Sequence, residues 1–221
     1  MGITIVALGG PDGEHGDGPP ALAAVAGISA YEAERHLAAG APRVLASFGS
    51  PERAQALGSA LEAAGFASIV LRDDETPPRF QVRSFTFEGR SLRVCDRLGA
   101  VHCVPFSEVD VLVRGIRTAA GTDEREPLLE VWAGESPVLV LREGALQYDG
   151  LRLERQPTAA ANFAWLVNRL RNEAPDAVCD ERLNTRAGQL RVLGEVLTPE
   201  AHLEVATALV ARTLRRLRRA A

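Results

Sequence analysis

Asp12, Glu14, His15 and Asp17 fall within one short loop bounded by glycine and proline, residues 9–20, and all four carry oxygen or nitrogen donors of the kind a divalent cation takes. The spacing does not build an EF-hand. In a loop that starts at Asp12, the position that must be glycine for the sharp turn is occupied by Asp17. The loop also follows a strand-like run and precedes a helix-like one, as a phosphate loop does, but it holds neither GxGxxG nor GK[ST], and its carboxylates repel phosphate. It reads as a surface loop. Asp73, Asp74 and Glu75 could hold Mg²⁺ beside a substrate phosphate. Followed by Thr76-Pro77-Pro78, they read instead as a solvated, stiff junction.

Nucleophiles fare no better. His102-Cys103 sets a thiol next to a base, but neighbours on a strand point to opposite faces and cannot pair directly. Ser50 lies in Phe48-Gly49-Ser50-Pro51-Glu52, which is not the GxSxG elbow and has the residues of a helix start. His15, His36, His102 and His202 are scattered, with no HxxxH. Cys95, Cys103 and Cys179 are odd in number and lack CxxC spacing, which argues against a disulfide framework or a zinc site and for thiols in a reducing compartment. No catalytic, cofactor or metal site is assigned.

Every one of the 25 basic residues is arginine. Without lysine, Schiff-base chemistry and the P-loop phosphate contact are excluded. Arg79, Arg83 and Arg93 are candidates for binding an anionic ligand, since guanidinium groups clamp phosphates bidentately. Arg79 and Arg83 have the RxxxR spacing that opens cyclic-dinucleotide-binding PilZ domains, but the second half of that signature is missing, because Asp96-Arg97-Leu98-Gly99 lacks its serine. Arg212, Arg215, Arg216, Arg218 and Arg219 crowd the last turns of a C-terminal helix, where cations complement the helix dipole or meet an acidic partner.

The elements that must position these residues fall into three regions, 1–76, 79–175 and 176–221. The first reads strand, helices, strand, helix, strand. Ile3–Leu8 is a strand; Ala21–Ala39 is helical and broken near Gly27, with Ser29 and Glu32 forming a capping box; Val44–Phe48 and Ser68–Leu71 are strands around a helix opened by Ser50-Pro51. The second is a series of short strands: Phe80–Phe87, Leu92–Cys95, Val101–Val104, Val109–Ile116, Leu128–Trp132 (equally readable as helix), Val138–Leu141 and Ala145–Tyr148. A helix capped by Thr158 closes it, with Phe163, Leu166, Val167 and Leu170 inward. The third ends in an amphipathic helix from Thr198-Pro199-Glu200, with Leu203, Ala206, Leu209, Val210, Leu214 and Leu217 on one stripe. The expected fold class is α+β: a small α/β sandwich, an antiparallel β region closed by a helix, and a C-terminal helical extension.

Within the first region, Gly27-Ile28-Ser29-Ala30-Tyr31-Glu32-Ala33, Ala41-Pro42, Ala54-Gln55-Ala56-Leu57, Ala60-Leu61-Glu62 and Ala64-Gly65 resemble the C-terminal domain of the bacterial ribosomal stalk protein, whose fold the Clp-protease adaptor shares. The resemblance covers residues 20–71 with one inserted residue, and implies a fold used for protein docking. It does not carry the stalk domain's partners, because Pro20, Ala23, Tyr31 and Glu34 stand where that domain has basic contact residues. In element order, residues 79–175 are similar to a pleckstrin-homology domain.

The functional expectation is a non-enzymatic protein-interaction, scaffold or adaptor protein of the bacterial cytoplasm. Its candidate contact residues are Tyr31, Glu34, Arg212, Arg215, Arg216 and Arg219, and the last helix could also form a homo-oligomer. The alternatives are a small-ligand or nucleotide-binding regulator using Arg79, Arg83 and Arg93, and an enzyme of unrecognised type. A net charge of -4 argues against whole-chain affinity for nucleic acid, and no run is long enough to span a bilayer.

Overall fold

Thr4–Leu8 forms strand β1, all five residues of which are buried, because it is the middle strand of an antiparallel sheet between β2 (Arg43–Phe48) and β3 (Ser68–Arg72). This is seen in a computed structural model that describes residues 4–8, 18–72, 75–118 and 124–220. The chain divides into two compact units, Met1–Thr76 with Arg186–Ala221, and Pro77–Thr185. The architecture is α+β, with several helices and three sheets.

In the first unit, α1 (Pro19–Ala26) and α2 (Ala30–Ala38) precede β2, and α3 (Pro51–Ala63) joins β2 to β3. Local chemistry sets the helix starts. Ser29 Oγ accepts from Glu32 N at 3.2 Å while Glu32 accepts from Ser29 N at 2.8 Å, which completes the capping box. Ser50 Oγ accepts from Arg53 N, with Pro51 at the first helical position. Leu22, Ala33, Ala54 and Leu61 bring α1, α2 and α3 onto Val6 and Leu8 of β1. At Gly58, α3 comes so close to β3 that a Cβ would stand 2.6 Å from Val70 Cγ2, so no larger residue fits without a shift. Two more helices complete this unit, α5 (Arg186–Leu193) and α6 (Pro199–Ala220). α5 packs on α6 and β2. Arg212 and Arg216 of α6 donate to the carbonyls of Glu75 and Ser68.

The second unit contains β4 (Arg79–Gln81), β5 (Ser84–Glu88), β6 (Ser91–Cys95), β7 (Val101–Pro105), β8 (Val109–Thr118), β9 (Arg125–Ala133), β10 (Val138–Arg142), α4 (Ala159–Glu173) and β11 (Val178–Leu183). One sheet has the order β11-β8-β9-β10-β4 and the other β5-β6-β7. The expected strand Phe80–Phe87 is two strands. At Val82–Arg83 the backbone leaves β10 for β6, as Val82 N bonds Val140 O and Arg83 N bonds Cys95 O. β4 and β10 run parallel. Phe80, Leu112, Leu129, Leu139 and Leu141 share one apolar cluster with Phe85, Leu92 and the α4 residues Phe163 and Leu166. Burial removes each such side chain from water for about 1.5–3 kcal/mol.

Leu128–Trp132, read as strand or equally as helix, is strand, within β9. Two expectations change. Ala145–Tyr148 contributes only an isolated bridge, Ser84 to Gln147. The region from 176 does not stay together: β11 pairs in parallel with β8, whereas α5 and α6 belong with the first unit. The single stripe expected on the last helix also widens, because Thr207, Ala208 and Ala211 are as buried as Ala206, Leu209 and Val210, and Val205 is buried too.

Candidate functional site

Arg43 opens β2, directly after Pro42, and is 9% exposed. A buried cation demands a partner, and the one Arg43 has is unusual: its Nε donates to Nδ1 of His36, at 2.8 Å, from the last turn of α2. Burial first, and then Arg43 and Arg35, push the His36 imidazole below its ordinary value, so at neutral pH the ring is uncharged and its Nδ1 is free to accept. Burial, followed by the repulsion of Arg35, likewise lowers the Arg43 guanidinium from its ordinary value, with the Glu195 carboxylate opposing. It still carries its charge, because arginine does not deprotonate in proteins. Among the described residues no carboxylate bonds Arg43, and its Nη groups have no acceptor.

Arg43 lines a cleft of about 580 Å³ formed by α2, β2, α5 and the α5–α6 turn. Arg35, Arg191, Leu190, Leu197 and Glu195 line it too. Glu195 pairs with Arg35 at 2.7 Å, and that hydrogen bond lowers the Glu195 carboxyl. Arg186, at one end, pairs with Glu200. Arg191 has no ion-pair partner among the described residues. Gly194 fixes this corner: it ends α5 with φ +65°, and a Cβ there would stand 3.0 Å from the Val44 carbonyl of β2. Tyr31, one helical turn before Arg35 on α2, is 69% exposed, and Glu34 is exposed beside it. The cleft therefore offers two arginines with no ion-pair partner among the described residues, Arg43 feeling the Glu195 carboxylate only at a distance, together with an apolar wall and an exposed aromatic ring nearby.

The remaining candidates are distributed otherwise. Arg212 and Arg216 bond backbone carbonyls of their own unit, the Arg215 Nε is buried, and Arg219 is exposed. Arg79, Arg83 and Arg93 do not converge on a common site: Arg79 pairs with buried Glu130, Arg83 donates to the Ala145 carbonyl at 2.6 Å, and Arg93 pairs with Glu88 at 3.2 Å. Asp96 is spent on its own turn, accepting from Leu98 N and Ala100 N. His102 is half-buried with its ring edge-on to Phe80 at 4.6 Å, and Cys103 is exposed. Burial pushes the Cys179 thiol up, away from the reactive thiolate.

A second cleft, of about 490 Å³, lies in the second unit where the β6–β7 turn meets the ends of β8, β9 and β10. Arg97, Arg117 and Arg125 line it without an ion-pair partner among the described residues, and Arg142 lines it paired with Glu126 at 3.4 Å. Among the described residues no group of three His, Cys, Asp or Glu side chains is placed to hold a metal ion, and no helix is long and apolar enough to cross a membrane. Asp12, Glu14, His15, Asp17, Asp73 and Asp74 lie outside the described residues.

Neither Arg43 nor Arg191 stands out in the sequence, where every basic residue is arginine. The one local signal is His36 seven residues before an arginine that opens a strand. Comparison with protein-family models, curated proteins and solved structures finds no match to this chain.

Proposed function

We propose that the protein is a non-enzymatic docking protein, an adaptor or scaffold of the bacterial cytoplasm, and that its first unit receives a partner at the Arg43 cleft. The observation that carries this reading is Arg43 itself: a residue 9% exposed whose guanidinium is met by a neutral imidazole and lines a cleft. A charge held that way is costly to the free protein unless something brings the missing anion. Tyr31 and Leu190, both exposed, supply the apolar contact that docking sites add to charge. The strand order β2-β1-β3, with α1, α2 and α3 packed on Val6 and Leu8, supports a stalk-protein-like fold for this unit, a fold that serves docking elsewhere. In the second unit, a backbone that passes from one sheet to the other at Val82–Arg83, the parallel β4–β10 pair and α4 against the core support a pleckstrin-homology-like reading.

A photo-crosslinking side chain in place of Tyr31, introduced in the cells that make the protein, tests the reading. A discrete adduct with one protein, identified by mass spectrometry and missing when the same group replaces exposed Leu153, is the expected result. No adduct at position 31 sinks it. Self-association through α6 has little surface left, since residues 205–211 are buried. Light scattering behind a size-exclusion column is expected to give one mass at all concentrations.

One observation favours a second reading, a regulator that binds a small anion: the three arginines of the second cleft that have no ion-pair partner among the described residues. Nucleotides at millimolar concentration should then raise the unfolding temperature of the parent protein and not of Arg117→Gln. A flat response in both removes this reading.

A further inference from the structure

Resting on the docking reading, we infer that the Arg43 cleft takes the carboxylate of an acidic peptide segment that carries an apolar side chain beside it. The argument starts from the guanidinium fork. With Nε donating to His36 Nδ1, the planar group is held in one orientation, and the edge left over is the pair of Nη groups. That edge presents two parallel N–H donors, a match to the two oxygens of one carboxylate. Charge then limits the ligand. Of the arginines at the cleft, Arg35 is matched by Glu195 and Arg186 by Glu200, which leaves Arg43 and Arg191. Among the described residues that is an excess of two positive charges, which suits one or two carboxylates. Glu195, 78% exposed at the rim, works against a polyphosphate.

The rest of the lining separates a peptide from a free anion. Leu190, Leu197, Ala187 and Pro199 offer apolar surface that inorganic phosphate cannot use. Leu190 is 42% exposed, so covering it removes apolar area from water. A segment with leucine next to glutamate satisfies both kinds of wall at once. The volume of the cleft falls within the range, about 300–1,000 Å³, of sites that enclose small ligands or short segments.

The test is fluorescence anisotropy on the full chain with a labelled peptide of alternating leucine and glutamate. Binding is expected, weakened at least about tenfold when glutamine replaces glutamate and about tenfold by Arg43→Gln, the loss that removal of a charge-assisted hydrogen bond brings. Arg191→Gln, an exposed position whose replacement leaves the core intact, is expected to weaken binding several-fold, and so keeps the test decisive if Arg43→Gln fails to fold. The inference is overturned if the parent does not bind the leucine–glutamate peptide, if the glutamine peptide binds equally, or if Arg191→Gln and a folded Arg43→Gln both bind as the parent does. It is also overturned if inorganic phosphate displaces the peptide at equal concentration. An adduct at position 31 that persists while the peptide fails overturns the occupant and leaves docking standing, whereas loss of the adduct overturns docking itself.

Discussion

In each unit an arginine at the start of a strand has little of its surface exposed, and each solves the problem differently. Arg79, 10% exposed at the start of β4, faces the carboxylate of Glu130, itself 2% exposed on β9. Arg43, as deeply placed at the start of β2, faces the uncharged ring of His36. The first is a closed pair, in which desolvation is offset by a neighbour of opposite charge. The second holds orientation without a directly bonded carboxylate among the described residues. Burial alone therefore says little about an arginine's role; the charge of its partner says more.

The largest break in that comparison should come from Glu130→Ala, which strips the carboxylate from Arg79. Removing one partner of a buried ion pair costs about 3–5 kcal/mol, and the midpoint of a urea titration should fall accordingly, with an unchanged slope. Next is Gly194→Ala, which forces an alanine into the left-handed region and against the Val44 carbonyl. The conformational part is about 1–2 kcal/mol, and thermal unfolding should show it even though the residue makes no side-chain contact.

A smaller effect follows from His36. Its folded-state value lies below the ordinary 6.5, burial being the first cause and Arg43 and Arg35 the next, with Glu32 and Glu195 opposing. The unfolded chain then takes up the proton first. The stability that His36 contributes is fully present above about pH 6.5 and declines as pH falls from there toward the folded-state value. Urea titrations between pH 7.5 and 5.5 should show that decline, and His36→Gln should remove its share. The smallest effect is the sharpest: Arg43→Met should leave stability unchanged within about 1 kcal/mol or raise it, since a buried charge without a counter-ion gives way to an apolar side chain. A large loss there would mean that Arg43 is a structural residue like Arg79.

The helix starts at Ser29, Ser50 and Thr158 were legible because a cap is a conversation between residues three apart: each side chain accepts from the predicted backbone N–H. The runs of β8 and β10 were legible from apolar content alone. What stayed hidden depends on distant segments. β11 reads VCDERL, with three charges in six residues, and becomes a strand by pairing with β8 more than sixty residues earlier. α5 has a weak apolar face, with only Gln189, Val192 and Leu193 buried. The break at Val82–Arg83 reflects a change of sheet that no local pattern announces. The Arg43 cleft is hidden for the same reason: it joins residues near 40 to residues near 190, and in a chain whose only cation is arginine neither member is conspicuous.

The first unit is written in two instalments, with Pro77–Thr185 between them. During synthesis, residues 4–72 leave the ribosome with their capped helices and three strands, but the surface of β2 that meets α5 must wait until more than a hundred further residues have been added. Translation at about 5–20 residues per second makes that an interval of several seconds. Through it the guanidinium of Arg43 lacks the far wall of its cleft, and the carbonyls of Ser68 and Glu75 lack the arginines that later claim them. The order of manufacture thus places the closing of the Arg43 cleft after the whole of the second unit has been made.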